Sequence, residues 1–215
     1  MATSTPGDAH PESKMTVRRR TVRQRILETA LAMAAEGGYE AVGMREVALQ
    51  ANVALGTLYR YFPSKDALLI AAWVHWSGQI ERQVTRRPLR GTTPAERTYD
   101  LLRRATRALE RQPRLAGAVL TAGNSADPGV QEEYRALVAL VGRLLAEAMA
   151  PVADPVASDV RDILSHVWSS ALRAWAAGYA SGADMYAVLA DTCHLLLDPR
   201  TPGCTPGRPV PARAG

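Results

Sequence analysis

The sequence predicts an all-α fold of about nine helices. Three observations carry this. Fourteen prolines cut the 215 residues into segments of helical length. Within those segments apolar residues recur every three to four positions, and no stretch alternates as a half-buried strand would. A 47% hydrophobic, 22% charged composition suits a globular chain with a real core.

The elements follow in order. Residues 1–17 are polar and rich in Pro, Ser and Thr, which predicts a disordered arm. A first helix is expected over 21–36, with Ile26, Leu27, Ala30, Leu31 and Ala34 inward and Gly37-Gly38 as its stop. A second is expected over 44–51, a tight turn at Asn52, and a third over 54–62. Pro63 is expected to end the third and to open a long fourth helix, 63–86, as its first residue. Further helices are placed at 94–111, 113–122, 128–149, 156–179 and 184–197, and residues 199–215, with five prolines, as a disordered tail.

The stretch Thr57-Leu58-Tyr59-Arg60-Tyr61-Phe62-Pro63-Ser64-Lys65 stands out. Leu58 and Phe62 lie four apart and share an inward face. The remaining faces carry hydroxyls and cations. Two short helices joined by a tight turn form a helix-turn-helix (43–62), whose second helix fits a DNA major groove about 12 Å wide. Upstream, Lys14, Arg18, Arg19, Arg20, Arg23 and Arg25 form a run without an acid. Such a run is either a solvated basic arm or a DNA contact. The net charge of +5 permits an anionic partner without requiring one.

The residues Gly37 to Val42, Met44 to Ala48, Asn52-Val53 and Gly56 to Leu69 together resemble the tetracycline-repressor (TetR) family of transcriptional regulators. The resemblance implies a DNA-binding domain at 18–65 and a larger ligand-binding and dimerisation domain at 66–198. It implies a homodimer on a palindromic double-stranded DNA operator, repressing until a small molecule releases it. Gly37 to Lys65, with His166-Val167-Trp168 and Ala174-Trp175, are further similar to the branch of that family that represses cholesterol and steroid catabolism in actinobacteria. That implies a steroid-derived or other acyl-CoA effector. Carried over by position, the DNA-binding residues are Arg45, Gly56, Thr57, Tyr59, Arg60, Tyr61 and Lys65. Arg18, Arg19 and Arg20 would reach the adjacent minor groove. Gly43 stands where the family often has Ser or Thr, and lacks a side-chain oxygen for a cap or phosphate.

In the larger region, Trp73, Trp76, Trp168 and Trp175 are all the tryptophans. Either they pack a plain helical core or some line an apolar cavity. Arg103, Arg104, Arg107 and Arg111 form either a solvated face or, for a coenzyme A ligand, phosphate partners, with Arg103 and Arg107 as ligand-binding candidates. Apolar stripes on the last two helices suggest a four-helix dimer interface or contacts within one subunit.

The sequence has no Gly-rich phosphate loop, no nucleophile with placed partners and no metal-ligand spacing, so no enzyme, cofactor or metal is expected. Two cysteines, Cys193 and Cys204, give no disulfide framework and fit a reducing cytoplasm. The longest uncharged stretch, Ala67 to Ile80, has 14 residues, short for a membrane span, and no secretory leader is apparent. The competing reading is a helical small-molecule-binding or interaction protein that never meets DNA.

Overall fold

The computed structural model describes residues 14–152 and 156–198. Among them are nine α-helices and no strand. The helices are α1 (Lys14–Ala41), α2 (Met44–Gln50), α3 (Leu55–Tyr61), α4 (Lys65–Val84), α5 (Pro94–Glu110), α6 (Pro113–Ala122), α7 (Pro128–Met149), α8 (Val156–Ala176) and α9 (Gly182–Leu197).

Local chemistry sets most of these boundaries. Prolines occupy the first turns of α5, α6 and α7, where a missing N–H is harmless. Thr93 and Ser181 each form a reciprocal capping box, with Glu96 and Asp184 respectively. Gly38 interrupts α1 at φ 73°, a conformation favouring glycine, as the Gly37-Gly38 pair predicts. Asn52 takes the left-handed backbone expected of the turn, with φ 50°.

Four expected helix boundaries need correction. Helix α1 starts at Lys14, seven residues before Thr21, so the arm's last residues, 14–17, are helical. The rest of the arm, 1–13, and the tail, 199–215, lie outside the described residues. Helix α4 starts at Lys65, not Pro63. Pro63 restricts the residue before it to extended backbone, and Phe62 accordingly sits at φ −139°, ψ 110°, which ends α3. Ser64 then caps α4, its Oγ accepting from Ala67 N at 3.1 Å. Helix α8 ends at Ala176 rather than 179, and α9 begins two residues early at the Ser181 cap.

The core runs through both parts of the chain without a gap. Ile26, Leu27, Ala30 and Ala34 of α1 are buried together with Val47, Leu58, Phe62, Leu68 and Leu69. Helix α1 packs on α4 and α6, and α4 packs on α7. The start of α7 is tied to the α3–α4 connection. Asp127, its N-cap, lies beside the Ser64 side chain, and a Cβ added at Gly129 would come within 3.1 Å of Pro63 Cγ. Arg23 of α1 completes the joint: it pairs with Glu133 of α7 at 3.0 Å and stacks its guanidinium 5.3 Å from the centre of the Phe62 ring.

Phe62 is thus the largest fully buried side chain at the junction. Phe62→Ala should cost about 3–5 kcal/mol, because truncating a buried aromatic removes its transfer energy and leaves a cavity. Urea denaturation of the full chain checks this.

Candidate DNA-reading surface and effector cavity

The helix-turn-helix is built from α2, the turn at Ala51–Ala54, and α3. Val53 N donates to Ala48 O at 2.9 Å, closing the turn. A guanidinium N–H of Arg25 donates to Asn52 O at 3.4 Å from outside. Leu58 is fully buried and Phe62 almost so. Four-residue spacing therefore fixes the rest of α3 relative to solvent: Gly56, Tyr59 and Arg60 are exposed and Thr57 is half-buried. A guanidinium N–H of Arg60 donates to Thr57 Oγ1 at 3.3 Å, so these two polar groups share one patch. Nothing lies within 4 Å of a Cβ added at Gly56. Space inside the protein therefore does not require glycine there.

Tyr61 is half-buried against the first helix, its hydroxyl 3.5 Å from Arg19 O. Arg19, Arg20 and Arg45 are exposed. The backbone of Arg18 is helical, but its side chain lies outside the described residues. Lys65 opens α4 with its ammonium 3.7 Å from the centre of the Tyr39 ring. The Tyr39 hydroxyl in turn donates to Asp66 Oδ1 at 2.7 Å. That hydrogen bond, with burial and the Asp66 charge, pushes the Tyr39 phenol up to about 12. The ring is thereby held neutral beneath the lysine. Sequence assigns Tyr39 no role of its own and places Arg23 only in the basic run, as a solvated residue or a DNA contact. Their partners lie 26 or more residues away, and only the fold brings them together. Leu49, 81% exposed and one turn on from Arg45, was also missed.

The second candidate site is a cavity of about 160 Å³ among α4, α5, α6, α7 and α8. Its wall is mostly apolar. Trp73, Trp76 and Trp168 line it with Leu101, Leu137 and Val141. Trp168 Nε1 donates to Thr106 Oγ1 at 2.9 Å, whereas Trp73 Nε1 is buried with no hydrogen-bond partner among the described residues.

Trp175, Arg103 and Arg107 are not in this wall. Trp175 packs on the general core. Arg103 pairs with Asp100 at 2.7 Å, and Arg104 pairs with the other oxygen of the same carboxylate. Burial alone would raise the Asp100 pKa. The Arg90 backbone N–H and the two guanidiniums outweigh it and hold the carboxyl below its usual range. Arg107 lies near the Tyr186 hydroxyl of α9, which donates to Glu110 Oε2 at 2.5 Å. The polar side chains that do line the cavity are Ser77 and Glu81 of α4, Tyr134 of α7, and Ser165, Ser169 and Arg173 of α8. The spacing of four along α8 was a readable sign of one face, though not of what that face meets.

Among the described residues no group of three or more His, Cys, Asp or Glu is placed to hold a metal ion. No described helix is long and apolar enough to cross a membrane.

An outward-facing reading helix on a small helical unit, joined to a helical domain with an internal apolar cavity, defines a ligand-responsive DNA-binding regulator. Residues 26–72 match the family model for bacterial regulatory proteins of the tetR family, and residues 91–196 match the tetracyclin repressor-like C-terminal domain. The chain belongs to the TetR family of transcriptional repressors, which are not enzymes. It is 42% identical to the HTH-type transcriptional repressor KstR of Rhodococcus jostii over 81% of this chain and 82% of that one. It is 36% identical to KstR of Mycobacterium tuberculosis over 91% and 94%. Among solved structures, it resembles a TetR transcriptional regulator from Rhodococcus sp. RHA1 (TM-score 0.75, 30% identity, 84% of this chain and 98% of that one). It also resembles the Thermus thermophilus repressor FadR in complex with lauroyl-CoA (TM-score 0.69, 25% identity, 90% and 100%).

Gly56→Ala separates reading from folding. Alanine is favoured over glycine in a helix by about 0.5–1 kcal/mol, and the space is open, so thermal stability should rise slightly. If α3 meets DNA, operator affinity should fall, because the added methyl stands on its exposed face. Melting and a DNA titration on one sample check both signs.

Proposed function

We propose that this chain is a homodimeric, cytoplasmic repressor that binds a palindromic operator through residues 18–65 and releases it when residues 66–198 bind an acyl-CoA thioester with an apolar acyl group. The observation that carries the DNA half is the orientation of α3: its apolar face is spent on Leu58 and Phe62, leaving Thr57, Tyr59 and Arg60 for a duplex. In this reading Thr57, Tyr59 and Tyr61 reach base edges or phosphates, Gly56 allows close backbone approach, and Arg45 and Arg60 contact guanine or backbone. Arg18, Arg19 and Arg20 enter the flanking minor groove. Lys65 meets a phosphate as a point charge, held in place by the Tyr39 ring.

The effector half rests on the cavity. Its apolar wall of Trp73, Trp76 and Trp168 suits an apolar acyl group. The FadR structure that this chain resembles, solved with lauroyl-CoA, gives the reading its direction. Arg103 and Arg107 are set aside as phosphate partners: Arg103 is paired with Asp100, and neither lines the cavity. The dimer half rests on apolar residues left uncovered on α8 and α9: Ile163 at 46% exposure, Val188 at 47% and Leu195 at 68%. A two-fold axis there would set two reading helices one or more DNA turns apart. An effector that favours one spacing lowers DNA affinity by its differential affinity for the two states.

The test is a titration against DNA flanking the protein's own gene. It should give saturable, salt-sensitive binding that lauroyl-CoA weakens. Lys65→Ala should weaken binding on every sequence and reduce the salt slope by about one unit, as loss of one phosphate contact requires. A normal slope removes the assignment of Lys65. Val188→Glu with Leu195→Glu should give a monomer by sedimentation and lose operator binding. A dimer persisting in that variant places the interface elsewhere.

A further inference from the structure

The cavity has two chemically different ends, and the hydrogen bonds give their order. Asp127, the N-cap of α7, lies beside Ser64, the N-cap of α4, and Gly129 packs against Pro63, so these two helices set out from the same end, beside the reading unit. Arg97 Nε, at the start of α5, donates to Ala148 O at the far end of α7 at 3.2 Å, so α5 runs back. Trp168 of α8 meets Thr106 of α5, and a Cβ at Gly182, which opens α9 after the short α8–α9 connection, would lie 2.8 Å from Glu110 Oε1 at the end of α5. Helix α8 therefore runs with α5, toward the reading unit. It follows that Glu81, Leu101 and Leu144 mark the distal end of the cavity, and Arg173, Leu109 and Tyr134 the proximal end. From Ile70 to Glu81 along α4 is eleven residues, or about 16 Å at 1.5 Å per residue.

Each end has one ionic side chain. Glu81 is half-buried one turn beyond Ser77, and Arg173 is exposed one turn beyond Ser169. Among the described residues neither Glu81 nor Arg173 has a side-chain hydrogen-bond or ion-pair partner. A carboxylate in an apolar wall gains from a donor, and an exposed guanidinium at the rim gains from an anion or acceptor.

Resting on the acyl-CoA reading above, we infer that the effector is an elongated apolar thioester carrying a hydroxyl at the end remote from the thioester. The hydroxyl donates to Glu81 at the distal end. The thioester end, with its anionic carrier, leaves past Arg173 at the proximal rim. Glu81 is thus a specificity-determining residue: it distinguishes hydroxylated from plain acyl groups of one length. Arg173 contributes affinity to both.

Two probes of equal chain length test this on the full-length protein, 12-hydroxydodecanoyl-CoA and dodecanoyl-CoA, titrated by intrinsic tryptophan fluorescence. The hydroxylated probe should bind about tenfold tighter, as a hydrogen bond to a charged group implies. In Glu81→Leu that preference should vanish or reverse. In Arg173→Met both probes should weaken by a similar factor with the preference kept. Neither side chain is buried, so both variants should fold, and circular dichroism checks this. Equal affinities in the parent protein, or a preference that survives Glu81→Leu, overturn the inference and leave the acyl-CoA reading standing. Failure of both probes to bind overturns the acyl-CoA reading and this inference with it.

Discussion

The burial of Phe62 organises this molecule. It is the last residue before Pro63, so its backbone must be extended and α3 must end there. Its ring is the one phenylalanine of the chain and is almost wholly removed from water. With Leu58 it anchors one side of a two-turn helix that has too few residues to be stable alone. The opposite side is thereby forced outward. Arg23 lies over the same ring and pairs with Glu133, so the group that fixes the reading helix also touches the first turns of α7.

That arrangement gives a physical route between the two sites. Helix α7 supplies Tyr134, Leu137 and Val141 to the cavity wall, and its first turn packs on the α3–α4 connection, Gly129 against Pro63 and Asp127 beside Ser64. Helix α4 likewise begins at Lys65, beside the reading face, and continues to Trp73 and Trp76 in the wall. A ligand that separates α4 from α7 acts on two elements that both start at the same joint.

Much of this was legible in the sequence because its signals are local. Prolines in first turns, the Gly37-Gly38 break and the left-handed Asn52 fix boundaries without help from distant residues. Leu58 and Phe62 declare their face by spacing alone. The start of α4 was misplaced because proline suits both a first helical residue and the residue before a cap, and the Ser64 side chain decides between them. Arg103 and Arg104 were readable as partners of Asp100, three and four residues before them. What spacing could not supply was tertiary: that Tyr39 lies under Lys65, that Arg107 turns to Tyr186, and that Glu81 and Arg173 stand at opposite ends of one cavity.

The central claim is that α3 and the start of α4 form the surface presented to DNA. Amide hydrogen exchange, measured with and without DNA from the flanking promoter, tests it most directly. The account predicts that exchange slows over residues 55–67 when that DNA is bound. Unchanged exchange there, with protection appearing instead on α8 and α9, would contradict it.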